Sequence, residues 1–209
     1  VDPATVVAVW GVESNFGQTL GKYPLLQALG TLSCHGRRQS YFQGEFYSAM
    51  RILQGGHIAP ERLFGSWAGA FGHTQFMPTT FERLAVDFDG DGRRDLMDNT
   101  SDALASTANF LAKAGWQSSQ PWGFEVKLPP GFNTDNEGRR SKRAMSEWVA
   151  RGLRKVDGSP LPEGLGSAGL MTPSGAQGPA FLVFKNVDAI YSYNAAESYG
   201  LAIAHRSGR

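Results

Sequence analysis

The sequence predicts an α+β fold that is mainly α: a helical domain with a small β-containing insertion. Three observations predict it. Apolar residues recur at helical spacing through most of the first 116 residues. After Trp116 two short runs read as strands. Helical spacing then returns from Val187 to Ala204. The divisions fall at 1–116 for the helical core, 117–185 for the β-containing subdomain and 186–209 for a C-terminal helical segment. Gly 26 and Pro 11 are too many for a simple bundle and require long loops.

Each element has its own signal. Asp2-Pro3 pairs a capping residue with proline at the first helical position. The helix it opens carries Val6, Val7, Val9, Trp10 and Val12 and ends near Ser14. A second helix covers Leu25 to Leu32. A third runs from Tyr41 to Leu53, with Phe42, Phe46, Met50 and Leu53 on one face, and stops at Gly55-Gly56. Thr79 and Glu82 have capping-box spacing and open a helix from Thr80 to Val86. Ser101 or Asp102 caps another, which buries Leu104, Ala108 and Leu111 and ends before Gly115. Phe124 to Leu128 and Phe181 to Phe184 are the strands, with a helix from Lys142 to Arg151 between them and a Gly/Pro/Ser-rich stretch from Gly158 to Pro179. Arg139-Arg140-Ser141-Lys142-Arg143 reads as a solvated basic face.

Composition excludes several functions. Lys plus Arg is 20 and Asp plus Glu is 19, a net charge of +1, so there is no surplus to neutralise nucleic-acid phosphates. With 41% hydrophobic residues the chain is not disordered. No uncharged apolar run is long enough to span a bilayer. Val1-Asp2-Pro3 is not a signal-peptide start, which leaves the compartment open because signals are cleaved. A lone Cys34 excludes an internal disulfide framework and a cysteine-based zinc cluster.

One carboxylate stands out. At about 100° per residue, Val6, Val9, Trp10 and Glu13 share roughly a third of the first helix's circumference. A carboxyl group in an apolar stripe is desolvated, which favours its protonated form, and a protonated carboxyl in a cleft is a general acid. From spacing alone, a glutamate that caps neighbouring backbone or pairs with an arginine accounts for the position better. The surrounding residues change that balance. Glu13-Ser14-Asn15-Phe16-Gly17 closes the helix with polar residues and a glycine, and Gly69-Ala70-Phe71-Gly72-His73-Thr74-Gln75-Phe76-Met77-Pro78 is a loop whose glycines permit close backbone approach.

In order along the chain, Val9–Gly17, Leu29–Tyr41, Gly65–Pro78, Ala85–Asp98 and Ile190–Tyr199 resemble the lytic murein transglycosylase B family, soluble and lipoprotein enzymes with a goose-lysozyme-like fold. The resemblance covers nearly the whole chain. It implies a lysozyme-like helical domain whose cleft the C-terminal segment completes. It makes Glu13 the single catalytic acid, cleaving the β-1,4 bond between N-acetylmuramic acid and N-acetylglucosamine of peptidoglycan glycan strands. The product is a 1,6-anhydromuramyl end, formed with assistance from the substrate N-acetyl group. It implies Arg37 and Arg38 as glycan and peptide contacts, Ser66 and Gln75 as saccharide contacts, and Tyr193, Asn194 and Tyr199 as the final cleft segment. Without it, Tyr193 and Tyr199 read as core aromatics. The setting implied is the periplasm, with lipid anchoring of the intact protein, a monomer, and other cell-wall enzymes as protein partners. Two departures from the family pattern follow. Family members carry a helical cleft-wall segment ahead of the point where this chain begins, so the chain reads as a truncated or processed fragment. Phe110 stands where some relatives have a sugar-contacting tyrosine.

Asp87 to Asp98 follows an EF-hand pattern, with acids at loop positions 1, 3, 5, 9 and 12 (Asp87, Asp89, Asp91, Asp95, Asp98), glycine at 6 and the Arg93 carbonyl at 7. Asp98 is one methylene shorter than the usual glutamate, and in the family the last ligand can come later, which makes Asp102 its rival. Catalysis needs no cofactor; a calcium here is structural. The competing functions are a goose-type muramidase that uses water, a non-catalytic peptidoglycan-binding fragment, and a calcium sensor, which a single unpaired loop disfavours.

Overall fold

A computed structural model describes residues 1–207; Gly208 and Arg209, at the end of the expected C-terminal segment, lie outside the described residues. The α+β, mainly α expectation holds: eight α-helices accompany one two-stranded and one four-stranded sheet among the described residues. The chain forms two compact units, Asp2–Phe110 and Leu111 onward.

In the first unit, α1 spans Pro3–Ser14. The Asp2 carboxylate accepts the Ala4 and Thr5 N–H groups, two donors that the first helical turn leaves without partners. Val6 and Val9 are buried, while Val7 and Val12 are exposed, so the inward stripe is narrower than the valine content suggests. The strands β1 (Tyr23–Pro24) and β2 (Phe64–Gly65) pair antiparallel. A two-residue ladder has no periodicity, and the sequence reading missed it. Helices α2 (Leu25–Cys34), α3 (Gln39–Gln54) and α4 (Pro78–Leu84) pack in succession.

Two expectations about α3 and α4 fail together, for one reason. The buried face of α3 is Glu45, Ser48, Ala49 and Ile52, and Met50 is exposed. The Glu45 carboxylate accepts the Thr79 N–H (2.9 Å) and hydroxyl (2.7 Å). Glu82 accepts from Ser48 and pairs with Arg51. The Thr79–Glu82 capping box therefore does not form: α4 starts at Pro78 with Met77 as its cap, and a carboxylate from α3 serves its first turn.

Helix α5, Thr100–Lys113, begins in the first unit and ends in the second. Asn99, rather than Ser101 or Asp102, accepts the first-turn N–H, that of Asp102. Its most buried residues are Asp102, Ala103, Ser106, Thr107 and Leu111, with Leu104 and Ala108 only half-buried. Ser106 and Asp102 point inward because they accept backbone N–H groups of the preceding loop.

The second unit is built on an antiparallel sheet in the order β4–β3–β6–β5, from β3 (Gly123–Lys127), β4 (Arg154–Lys155), β5 (Gly169–Met171) and β6 (Ala180–Val183). The register of β3 on β6 runs from Gly123↔Val183 to Val126↔Ala180. Strand β5 lies inside the Gly/Pro/Ser-rich stretch that gave no strand signal. Between β3 and β4, α6 covers Met145–Ala150, three residues shorter at its start than expected because Ala144 is extended. The core joins Val126, Trp148, Leu170, Leu182 and Phe184, and the Trp148 indole donates to the Ala168 carbonyl at 2.9 Å.

The basic cluster is not a solvated face. Arg139 and Lys142 both pair with Asp188, and the Arg139 guanidinium lies 3.8 Å over the Tyr191 ring. Arg143 pairs with Glu137 and Glu147, and Arg151 joins Glu137. Arg140 stays exposed. Its neighbours' charges are spent within the unit on acids as far away as Asp188, which a linear reading cannot see. The last helical segment is two helices, α7 (Lys185–Tyr193) and α8 (Glu197–Ser207), because Asn194 adopts an extended conformation.

Candidate active site

Glu13 is the penultimate residue of α1 and is half-buried. The helix end beneath it is clamped to the 72–77 loop. The Ser14 hydroxyl donates to the His73 carbonyl (2.6 Å) and accepts the Gly17 N–H (2.9 Å). The Trp10 indole N–H donates to His73 Nδ1 at 3.0 Å. Gln75 completes the clamp by donating through Nε2 to the Gly72 and Leu20 carbonyls. Asn15 and Phe16 both have positive φ, which turns the chain sharply enough for the Phe16 ring to meet Trp10 edge-on at 5.4 Å. Gly11 permits this, since a Cβ there would lie 2.8 Å from Phe16 Cζ.

Five described non-glycine residues have positive φ, and four of them are Asn15, Phe16, Arg38 and Gln75. Such conformations cost about 1 kcal/mol or more each and cluster where function holds the backbone. This signal arises independently of the sequence motifs and falls on the same segments.

The remaining expected residues lie as follows. Arg37 and Arg38 are exposed at the turn before α3. Ser66 is half-buried; its hydroxyl accepts the Ala70 N–H. The Gln75 amide spends its donors on the Leu20 and Gly72 carbonyls. In the second unit, Tyr193 ends α7 half-buried, Asn194 is the exposed residue that follows, and Tyr199 is buried on α8. Phe110 contacts Phe76 with rings 6.1 Å apart. Sequence reasoning missed Ser14 and His73, whose roles depend on a contact across 59 residues.

The Asp-rich loop gathers carboxylate oxygens of Asp87, Asp89 and Asp102 within 4.8 Å of one another. Asp87 accepts the Gly90 and Gly92 N–H groups, Asp89 accepts from Asp91 and Asn99, and Asp91 accepts the Arg93 N–H. Asp102, fully buried, accepts the Phe88 and Asp95 N–H groups and so ties both arms of the loop. The donor set is all oxygen, which suits a hard divalent cation. Asp98 is turned away from the cluster into a bidentate pair with Arg62.

The sequence profile described as the transglycosylase SLT domain matches residues 1–208. The chain belongs to this family. Among family relatives, the membrane-bound lytic murein transglycosylase B of Escherichia coli (strain K12) is 34% identical over 209 residues, covering 97% of this chain and 55% of that protein. SltB3 from Pseudomonas aeruginosa, crystallised in complex with NAG-anhNAM-pentapeptide, is 46% identical with a TM-score of 0.95, covering 98% of this chain and 55% of that one. E. coli Slt35, crystallised in complex with calcium, is 32% identical with a TM-score of 0.85, covering 100% of this chain and 65% of that one. The chain thus spans a little over half the length of the first two. The lysozyme-like fold expected from the sequence is that of these SLT relatives.

In this SLT domain, His73 links the helix end to acid stability. Burial is the first cause holding its pKa below the ordinary 6.5. Protonation would also put a hydrogen on Nδ1, facing the Trp10 N–H. The unfolded chain therefore binds more protons than the folded one as pH falls through 6.5, and stability falls with it. His57, depressed first by burial and then by Arg94 and Arg93, acts in the same direction. Melting temperature should drop from pH 7 to pH 5, and His73→Gln should flatten that slope. An unchanged slope in the variant would remove His73 as a cause.

Proposed function

We propose that the chain is a peptidoglycan lytic transglycosylase in which Glu13 acts first as acid and then as base. The observation that carries the reading is a half-buried glutamate at the end of α1, above a loop clamped by Ser14, Trp10, His73 and Gln75, in a chain of the SLT family. Glu13 donates its proton to the oxygen of the β-1,4 bond between N-acetylmuramic acid and N-acetylglucosamine as the C1–O bond breaks. The muramyl C6 hydroxyl then bonds to C1 and returns its proton to the carboxylate. No water is consumed, so the pair of carboxylates used by hydrolytic glycosidases is not needed. In this reading Arg37 and Arg38 hold glycan and stem peptide, Ser66 and Gln75 the saccharide, and Tyr193, Asn194 and Tyr199 contribute further sugar contacts. NAG-anhNAM-pentapeptide, bound by SltB3, supports the product assignment. Digestion of purified peptidoglycan and muropeptide masses test it: products lighter by one water than hydrolysed ends are expected, and hydrated ends would favour the muramidase. The setting we propose is the periplasm, with the intact protein lipid-anchored, monomeric and working beside other cell-wall enzymes. The name of the E. coli relative, membrane-bound, supports the anchoring; no described helix is long and apolar enough to cross a membrane.

A structural calcium in the Asp-rich loop belongs to the same proposal. Asp87, Asp89 and Asp102 would hold it, with Asp91 and the Arg93 carbonyl as further donors, and it would neutralise crowded carboxylates. A cation that binds only the folded state stabilises it by about 2.7 kcal/mol at a hundred times its dissociation constant. Calcium should therefore raise the melting temperature, and Asp89→Ala should blunt the rise. Asp98→Ala should keep it, because Asp98 faces Arg62. A thermal scan of the unaltered chain that ignores millimolar calcium would refute the site.

A further inference from the structure

His73 bonds three partners from two distant parts of the first unit. Its N–H donates to the Leu96 carbonyl at 2.9 Å. Its carbonyl accepts the Ser14 hydroxyl at 2.6 Å, and its Nδ1 accepts the Trp10 indole N–H at 3.0 Å. Trp10 and Ser14 flank Glu13 on α1, and Ser14 follows it directly. Leu96 is fully buried in the segment that closes the Asp-rich loop. There the Asp95 N–H donates to Asp102, and the Asp95 carboxylate accepts the Met97 and Asp98 N–H groups. The contact leaves no slack, because a Cβ on Gly72 would lie 2.6 Å from the Leu96 carbonyl oxygen. A continuous line of hydrogen bonds thus runs from Asp102 through Asp95, Leu96 and His73 to the end of α1 that bears Glu13.

The side chain adds something that the backbone bonds do not. With Nδ1 accepting, the proton of the imidazole is on Nε2 and the ring is neutral. A lysine or arginine holding the same helix end would bring a positive charge, which favours a carboxylate over the protonated form that a general acid needs. A neutral acceptor holds the helix without that effect.

We propose that His73 is a positioning residue for the glycan-cleaving step: it seats the Glu13 end of α1 on the Leu96 turn, so the segment that closes the Asp-rich loop sets where the acid stands. The inference rests on the transglycosylase reading for the reaction it serves. Misplacing a reacting group by about 1 Å costs about a hundredfold in rate, whereas substrate affinity is spread over many contacts. The loss therefore falls on kcat rather than KM.

The test is steady-state kinetics on soluble glycan strands, with every variant assayed well below its melting temperature. His73→Leu removes the Nδ1 acceptor and keeps apolar bulk. His73→Asn retains an acceptor at the δ position. Trp10→Phe removes the donor from the other side and keeps a ring for Phe16. Asp95→Ala lies outside both α1 and the 72–77 loop, and frees the N–H groups that hold the Leu96 turn. His73→Leu and Trp10→Phe should each lower kcat roughly ten- to a hundredfold with KM within about twofold. Their double variant should lose no more than the worse single one, because both remove the same hydrogen bond. His73→Asn should recover most of the loss, and Asp95→Ala should lower kcat about threefold or more at constant KM. A rise in KM at constant kcat, losses that follow only the folded fraction, His73→Asn no better than His73→Leu, or an inert Asp95→Ala would each overturn the proposal. Product masses are read separately. The expected kinetic pattern with hydrated ends upholds the positioning role and faults the transglycosylase reading alone, and no cleavage by the unaltered chain overturns both.

Discussion

Glu13→Gln is expected to leave the fold intact and reduce turnover by at least about a thousandfold. The amide is nearly isosteric with the carboxyl group, and the clamp beneath it is built from Ser14, Trp10, His73 and Gln75. What the amide lacks is a transferable proton. A positioned acid or base contributes about 10²–10⁴ to rate, and here one group serves both halves of the reaction, so the loss sits at the upper end of that range. Melting temperature and affinity for glycan should stay near those of the unaltered chain. Muropeptide release by a folded Glu13→Gln protein at even a tenth of the normal rate would move the acid elsewhere.

Gly17→Ala is expected to be the most damaging single-methyl change near the site. Gly17 sits at φ +82, and a Cβ there would lie 2.4 Å from Cε1 of His73. The ring cannot simply yield, since Trp10 holds it through Nδ1 and Ser14 holds its carbonyl. Left-handed strain of about 1–2 kcal/mol adds to the displacement of the clamp. We expect a total near 3 kcal/mol and a fall of roughly 6–12 °C in melting temperature for a chain of this size, with turnover falling as the Glu13 end of α1 shifts. Gly36→Ala is the control. Its φ is +95 but nothing lies within 4 Å of the added atom, so only the backbone term remains. Equal losses in the two variants would mean that the His73 contact contributes nothing.

Local chemistry made much of this chain readable in advance. The start of α1 follows from Asp2-Pro3, and the ends of α1 and α3 from the polar and glycine residues after them, because capping acts within a few residues. The strands at Phe124 and Phe181 stand out by their β-branched and aromatic run. Glu13, the Asp alternation and the Gly69–Pro78 loop are contiguous motifs, so a linear reading finds them. What a linear reading could not supply are the contacts that join distant segments. The apolar face of α3 reads as Phe42, Phe46, Met50 and Leu53 until α4 brings Thr79 and Glu82 against Glu45 and Ser48. Arg139 reads as surface until Asp188 and Tyr191 reach it. Asp98 reads as a cation ligand until Arg62, 36 residues earlier, takes its carboxylate, while Asp102, read both as a helix cap and as a rival ligand, ties the loop arms and leaves the cap to Asn99. Each reversal has the same physical cause. A polar side chain settles where a partner satisfies it, buried as Glu45 and Asp102 are or exposed as Asp98 is, and in these cases the partner is supplied by folding, not by sequence neighbours.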